Sequence, residues 1–168
     1  MTKEDDIEYI FKLFFDGACP GNGKLDKQGR MPRMGMGAVI YQKNDDDEDV
    51  EIAEITAYGK RGTNNEAEYK ALIYGLKYLY ENKKITKERY PNIGIEVYGD
   101  SMCVIKQIKG EWNVKAENLI PLYLKANYYK KRMNLKFKHI RREYNSKADE
   151  LANEGVRLGI EKDKKNKN

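Results

Sequence analysis

The sequence predicts an α/β fold: a five-stranded mixed sheet in which a three-strand antiparallel meander adjoins two parallel strands, with helices on both faces. Two observations predict it. Three apolar strand segments come first and are joined by polar loops, as in a meander. The two later strand segments then alternate with segments whose apolar residues recur at helical spacing, which is typical of parallel strands joined by helices.

The elements follow one another in the order β-β-β-α-β-α-α-β-α. We predict strands at residues 9–17, 34–42, 50–60, 93–99 and 134–142. We predict helices at residues 62–81, 101–109, 116–131 and 147–158. In the first strand Phe11 and Leu13 lie on one face and Ile10 and Phe14 on the other, so this strand belongs in the middle of a covered sheet.

Length and composition indicate one domain. The chain has 168 residues, enough for a single core, and we assign residues 1–160 to one domain. Residues 161–168 are mostly lysine and asparagine, so we expect a basic, disordered tail there. The 32 basic and 27 acidic residues give a formal charge of +5, which by itself is a weak indication of a polyanionic partner.

The sequence carries no sign of secretion or of membrane insertion. No apolar run approaches the roughly 20 residues of a membrane-spanning helix. The first residues lack the pattern of a signal peptide, and the two cysteines lack a metal-like spacing. We therefore expect an intracellular, cytoplasmic protein that is not secreted and has no membrane partner, with association with the nucleus or with a virus as the alternatives.

Glu68 is the residue that the fold alone does not explain. It lies three, four and eleven residues before Ala71, Leu72 and Leu79, so it shares the inward face of its helix. A carboxylate there is costly unless a cation or a hydrogen-bond donor compensates it. Glu66, in contrast, lies three residues after Thr63 and completes a capping box.

Three further acids lie at the ends of predicted elements. Asp16 ends the first strand, Asp100 ends the fourth strand, and Asp149 lies in the first turn of the last helix. Each has an ordinary structural alternative: a turn residue for Asp16, a helix cap for Asp100, and a partner of the helix dipole for Asp149. Taken with Glu68, however, they could meet at one end of the sheet if the first and fourth strands are neighbours.

Four carboxylates in one place would repel one another, and divalent metal ions are the usual compensation. Oxygen ligands favour Mg²⁺, with Mn²⁺ as a possible substitute, and no Cys/His cluster points to zinc. Two such ions roughly 4 Å apart can activate a water and stabilise the leaving oxygen of a phosphodiester. The acids therefore predict a two-metal site for phosphodiester hydrolysis.

At these positions the sequence resembles the type 1 ribonuclease H family. The segments that carry the resemblance are residues 16–22 (DGACPGN), residues 63–68 (TNNEAE), Asp100–Ser101, and residues 145–153 (NSKADELAN). They occur in the order that the family has, between about residues 12 and 158. The resemblance implies the ribonuclease H-like fold and, as metal-binding and catalytic residues, Asp16, Glu68, Asp100 and Asp149.

The resemblance also implies contacts with substrate. We expect these contacts at Gly17, Cys19, Asn22, Asn64, Asn65 and Trp112. For Trp112 packing is the favoured role and stacking on nucleic acid the alternative.

Two segments depart from the family pattern. The loop before the last helix is shorter than the Gly- and His-rich loop of many bacterial members and resembles the archaeal and plant-like branch. We read His139, within a predicted strand, as structural rather than as a proton shuttle, which leaves Arg142 to assist the attacking water or to hold a phosphate. Residues 24–33 are longer than the usual turn.

The expected function is hydrolysis of the RNA strand of RNA–DNA hybrids, leaving 5′-phosphate and 3′-hydroxyl ends. We expect a monomer whose partner is the hybrid and which needs no protein partner. A non-catalytic binding module for hybrids or duplex RNA is one alternative. Another metal nuclease of the same superfamily is the other, and the TNNEAE segment disfavours it.

Overall fold

The computed structural model describes residues 3–21, 24–29 and 33–166. Its strands are β1 (Glu8–Ala18), β2 (Arg33–Lys43), β3 (Asp49–Arg61), β4 (Ile93–Gly99) and β5 (Asn134–His139). Its helices are α1 (Asn64–Lys77), α2 (Met102–Ile108), α3 (Ile120–Arg132) and α4 (Ser146–Asn166). Single turns of 3-10 helix occur at Glu4–Asp6 and Arg142–Tyr144, and a π-helical segment, Tyr78–Asn82, follows α1.

The five strands form one sheet in the order β3-β2-β1-β4-β5. The pairs β1–β2 and β2–β3 are antiparallel, whereas β1–β4 and β4–β5 are parallel. The central strand is β1, and its Leu13 and Phe15 have no exposed surface. The predicted mixed sheet, with its meander and its two parallel strands, is therefore confirmed.

Helices cover both faces of the sheet because small residues let them approach closely. A Cβ atom added to Gly75 of α1 would lie 2.5 Å from the side chain of Leu13 in β1. On the opposite face, a Cβ atom added to Gly37 of β2 would lie 2.3 Å from the carbonyl oxygen of Ala148 in α4. Real Cβ atoms do not tolerate such distances, so these contacts require glycine.

Two element boundaries differ from the prediction. Helix α3 begins at Ile120 rather than at residue 116, and Pro121 in its first turn suits a helix start because its missing N–H needs no partner there. Strand β5 ends at His139 rather than at residue 142, and a 3-10 turn follows. Both shifts are of a few residues at the ends of elements and leave the order of elements unchanged.

Helix α4 corrects the expectation of a disordered tail as far as residue 166. The sequence predicts that it ends near Leu158, but it continues to Asn166. The extension is held by Asp163, whose carboxylate accepts hydrogen bonds from Arg33 at the start of β2. Among the described residues, no helix is both long enough and apolar enough to cross a bilayer.

Candidate active site

Asp16 and Asp100 lie side by side at one end of the sheet. Strands β1 and β4 are parallel neighbours, and Phe15 of β1 pairs with Gly99 of β4. The two aspartates directly follow these paired residues, so they lie at the same level of the sheet. The adjacency on which the convergence of the acids depends is therefore present.

Helix α1 brings Glu68 to the same place. A Cβ atom added to Gly17 would lie 2.2–2.6 Å from the backbone of Ala67 and Glu68, so α1 rests directly on β1 immediately after Asp16. Glu68 is 7% exposed, as its helical spacing predicts. The N–H of Gly17 donates a hydrogen bond to the Glu68 carboxylate. Gly17 thus has a packing role here, although it also lines the cavity.

Three of the four predicted acids form one cluster. Carboxylate oxygens of Asp16, Glu68 and Asp100 lie within 4.8 Å of one another. The fourth acid, Asp149 of α4, lies outside this group of three, but it is close enough to Asp16 to help raise the pKa of that carboxyl. All four line a cavity of about 400 Å³.

Burial and mutual repulsion make the cluster unfavourable when it is fully charged. Burial, and then repulsion from Asp100, raise the pKa of Asp16 to about 7. Burial, followed by repulsion from Asp16 and Asp100, holds the pKa of Glu68 well above its usual value. One Glu68 oxygen, Oε2, is buried and lacks a hydrogen-bond partner among the described residues.

The cluster fits divalent metal ions. Carboxylate oxygens are the ligands that Mg²⁺ and Mn²⁺ prefer, and three of them converge from three separate elements. The unpartnered Glu68 oxygen offers a further ligand atom. A cation would also compensate the repulsion that raises the pKa of Asp16 and of Glu68.

The structural alternative for Asp100 is absent. Ser101, not Asp100, caps α2, because its hydroxyl accepts a hydrogen bond from the N–H of Val104. Asp149 remains in the first turn of α4, where a carboxylate also suits the helix dipole. Thr63 caps α1 by accepting from the N–H of Glu66, as predicted.

Asn145 is a site residue to which the sequence assigned no role. It is 1% exposed, and its Nδ2 donates to the carbonyl oxygen of Phe15 at 2.8 Å and to Asp100 Oδ2 at 3.1 Å. It therefore ties β1, Asp100 and the start of α4 together. The sequence signal was ambiguous, because an asparagine just before a helix usually indicates a cap.

The predicted substrate-contacting residues fall into two groups. Asn64 and Asn65, at the start of α1, line the cavity of the four acids. Cys19 lines it as well, but its thiol is buried and donates to the carbonyl oxygen of Gly62 at 3.0 Å. Trp112 is half exposed and lies in a different cavity between α2 and α3. Asn22 lies outside the described residues.

The 3-10 turn before α4 places one basic side chain at the cavity. Arg142 lines it, with 80% of its side chain exposed and Nη2 3.6 Å from Asp149 Oδ1. His139 lies at the end of β5, with Nε2 3.2 Å from the carbonyl oxygen of Asp100. Asn153, one turn beyond Asp149 on α4, is a further lining residue that the sequence reasoning missed.

Comparisons with known proteins agree with this geometry. A family model described as reverse transcriptase-like matches residues 27–155. The bifunctional protein Rv2228c of Mycobacterium tuberculosis is 32% identical over 123 residues, which cover 73% of this chain and 31% of that protein. Ribonuclease HI of Halobacterium salinarum is 31% identical over 147 residues, which cover 85% of this chain and 62% of that protein. The chain thus spans about a third of the first relative and less than two thirds of the second.

Solved structures share the fold over nearly their whole length. The N-terminal RNase H domain of Rv2228c, solved as a fusion with maltose-binding protein, is 28% identical with a TM-score of 0.74, and the match covers 92% of this chain and 99% of that one. LC11-RNase H1, isolated from compost and solved in complex with an RNA/DNA hybrid, is 31% identical with a TM-score of 0.72, covering 89% and 99%. The family model covers most of the chain and the fold is common to these structures, and the chain therefore belongs to the type 1 ribonuclease H family.

Proposed function

We propose that this protein is an endonuclease that hydrolyses the RNA strand of RNA–DNA hybrids with two divalent metal ions, leaving 5′-phosphate and 3′-hydroxyl ends. The observation that carries the proposal is the cluster of Asp16, Glu68 and Asp100, whose oxygens lie within 4.8 Å of one another at the end of the sheet. The complex of LC11-RNase H1 with an RNA/DNA hybrid supports the choice of substrate.

The four acids have separate tasks in this proposal. Asp16 and Asp100 would be ligands central to the pair of ions, and Glu68 and Asp149 would each contribute a carboxylate on one side. Mg²⁺, or Mn²⁺ in its place, supplies Lewis acidity that makes a water nucleophilic and neutralises charge on the leaving oxygen. Asn145 holds the Asp100 carboxylate in position through the hydrogen bond from Nδ2.

Other residues of the cavity bind and orient the hybrid. Asn64 and Asn65 offer amide donors and acceptors to 2′-hydroxyl groups, the feature that distinguishes RNA from DNA. Arg142 carries an exposed guanidinium beside Asp149, where it can donate hydrogen bonds to a phosphate or to the attacking water. One chain supplies all four acids, which supports action as a monomer.

Two alternatives predict different products. A binding module gains nothing from clustered acids beside phosphates, and another nuclease of the superfamily would cut DNA. The deciding experiment incubates the protein with labelled hybrid, duplex RNA, duplex DNA and a duplex with one ribonucleotide, each with Mg²⁺ or with a chelator. Cleavage confined to the RNA of the hybrid, and only with metal, supports the proposal. Binding without cleavage, or cleavage of DNA, refutes it.

The Asp100→Asn substitution tests the site itself. It keeps the size of the side chain and removes one metal-binding charge, so we expect the turnover number to fall by a factor on the order of 10³ or more. Hybrid affinity, measured with a chelator present, should stay within about twofold. Asp46→Asn is the matched control, because this exposed aspartate in the β2–β3 turn also loses one charge. Retained turnover in Asp100→Asn would refute the assignment of Asp100 as a metal-binding catalytic residue.

A further inference from the structure

One corner of the molecule, at the same end of the sheet as the candidate active site, concentrates lysines. It comprises residues 24–29, the start of β2, the end of β3 and the last turns of α4. We call it the basic corner and define it by six exposed lysines: Lys24, Lys27, Lys60, Lys162, Lys164 and Lys165. Among the described residues, no salt bridge involves any of the six.

A network of ion pairs fixes the corner in place. Asp163 of α4 accepts hydrogen bonds from Nε of Arg33, at 2.8 Å, and from its Nη2. Arg61, at the end of β3, lies 3.9 Å from Asp163 and 3.5 Å from Asp26. The network therefore joins the last turns of α4 to both strand ends and to the loop of residues 24–29. It also neutralises the two aspartates of the corner.

The register of the sheet places this corner at the same end of the sheet as the four acids, beyond the level of Asp16. Asp16 pairs with Gly37 of β2, and Arg33 lies four residues before Gly37. At about 3.3 Å per residue, Arg33 lies roughly 13 Å along the strands from the Asp16–Gly37 pair. It lies beyond the C-terminal end of β1. Arg61 is followed within two residues by Thr63, the cap of the helix that carries Glu68.

The lysines at the end of α4 lie on an ordered helix rather than in a disordered tail. A lysine-rich tail that served only solubility would have no need of a defined conformation, and its composition predicts disorder. Here Lys162 lies 5.5 Å from the centre of the Tyr58 ring, and its neighbour Asp163 is bound by two arginines. The ammonium groups are thus presented on a folded surface, on the helix that also carries Asp149 of the candidate site.

We propose that the basic corner binds the phosphate backbone of the hybrid outside the catalytic cavity, on one side of the cleaved bond. This inference rests on the proposed function. The lysines of α4 lie 13 to 16 residues beyond Asp149 on the same helix, which is roughly 20–24 Å at about 1.5 Å per residue. A duplex advances about 3.4 Å per base pair, so these lysines face backbone about six to seven base pairs from the point of cleavage. The corner lengthens the footprint on substrate and takes no part in the chemical step.

The test replaces three lysines of the corner at once, as Lys162→Gln, Lys164→Gln and Lys165→Gln. Because these contacts are equal in the ground state and the transition state, KM should rise about tenfold at moderate salt while kcat changes less than about twofold. The plot of log affinity against log salt should lose a slope of about 0.9 for each phosphate contact removed.

The matched control carries the same change of charge at the other end of the sheet. It substitutes the exposed Lys83, Lys87 and Lys131 by Gln, near the start of β4 and the end of α3. If KM and the salt slope change equally in both triple variants, the effect is one of net charge and the inference is wrong. If the wild-type protein cleaves no hybrid, the proposed function fails instead, which separates the two failures.

A substrate with a fixed point of cleavage shows on which side of the cleaved bond the basic corner contacts the duplex. A DNA duplex with a short internal run of ribonucleotides can be shortened on either flank while cleavage stays at the same place. On one flank only, removal of the duplex beyond about five base pairs should abolish the difference between the wild-type protein and the corner variant. A difference that survives shortening on both flanks would overturn the inference.

Discussion

Substituting Asp16 by Asn should stabilise the metal-free protein at neutral to alkaline pH. The carboxylate is 4% exposed, and its pKa is raised from 3.8 to about 7 by burial and by the neighbouring acids. Between about pH 4 and pH 7 the folded protein therefore binds more protons at this position than the unfolded chain does. Its contribution to stability is present at low pH and is lost as the pH rises through about 7.

The size of the effect follows from the pKa values. Raising the pKa of Asp16 from 3.8 to about 7 lowers the free energy of unfolding by about 4 kcal/mol above pH 7, since each pKa unit is worth about 1.36 kcal/mol. Asn keeps the shape but is itself a buried polar group, so we expect a net gain of roughly 2 to 4 kcal/mol. For a chain of this length that corresponds to a midpoint of thermal unfolding about 5–10 °C higher.

The assay is thermal or urea unfolding with a chelator over a series of pH values, with Asp46→Asn as the exposed control. The gain should be greatest near pH 8 and should shrink towards zero below about pH 3, where the wild-type carboxyl is protonated in both states. Adding Mg²⁺ should stabilise the wild-type protein more than the variant, because bound metal stabilises the folded state. An Asp16→Asn protein that is less stable at high pH without metal, or a gain independent of pH, would refute the reasoning.

Further predictions concern packing and positioning. Gly17→Ala should cost about 3 kcal/mol or more and abolish cleavage, as read by unfolding and turnover, because the new Cβ would meet the backbone of α1 at 2.2 Å. Asn145→Ala should lower kcat or metal affinity by about 10–100-fold with hybrid affinity unchanged, because the donor to Asp100 is lost. Kinetics together with calorimetric metal titration measure both quantities, and unchanged kcat and metal binding would contradict the prediction. Tyr69→Phe should cost about 1–3 kcal/mol of stability in urea unfolding because a buried hydrogen bond of 2.6 Å is lost, whereas the exposed Tyr74→Phe should cost little, and equal costs would contradict this.

The position of Glu68 shows what local sequence can predict. Helical spacing alone placed this carboxylate on the inward face of α1, and the side chain is 7% exposed. The capping of α1 by Thr63 was equally predictable, because the two groups of a cap lie within one turn. The order of strands and helices followed for the same reason, since each periodic pattern lies within one element.

The choice between adjacent candidate caps and the contacts between distant residues both escaped prediction. The sequence did not indicate that Ser101 rather than Asp100 would cap α2, since either residue could have done so. Nor did it indicate that Trp112 would line a different cavity from the four acids. Arg33 and Asp163, 130 positions apart, hold the end of α4, so a segment whose composition predicts disorder is helical as far as residue 166.

The sequence by itself therefore determined the order of elements, the fold class and four acids whose residue types suit metal ions. Only the tertiary structure decided that Asp16, Glu68 and Asp100 lie within 4.8 Å, that Asn145 donates to Asp100, and that Asp163 ties the last turns of α4 to the end of β3. The physical reason is range. Periodicity and caps act within one or two turns of chain, whereas charge repulsion, burial and hydrogen bonding depend on distances that the fold sets between remote residues.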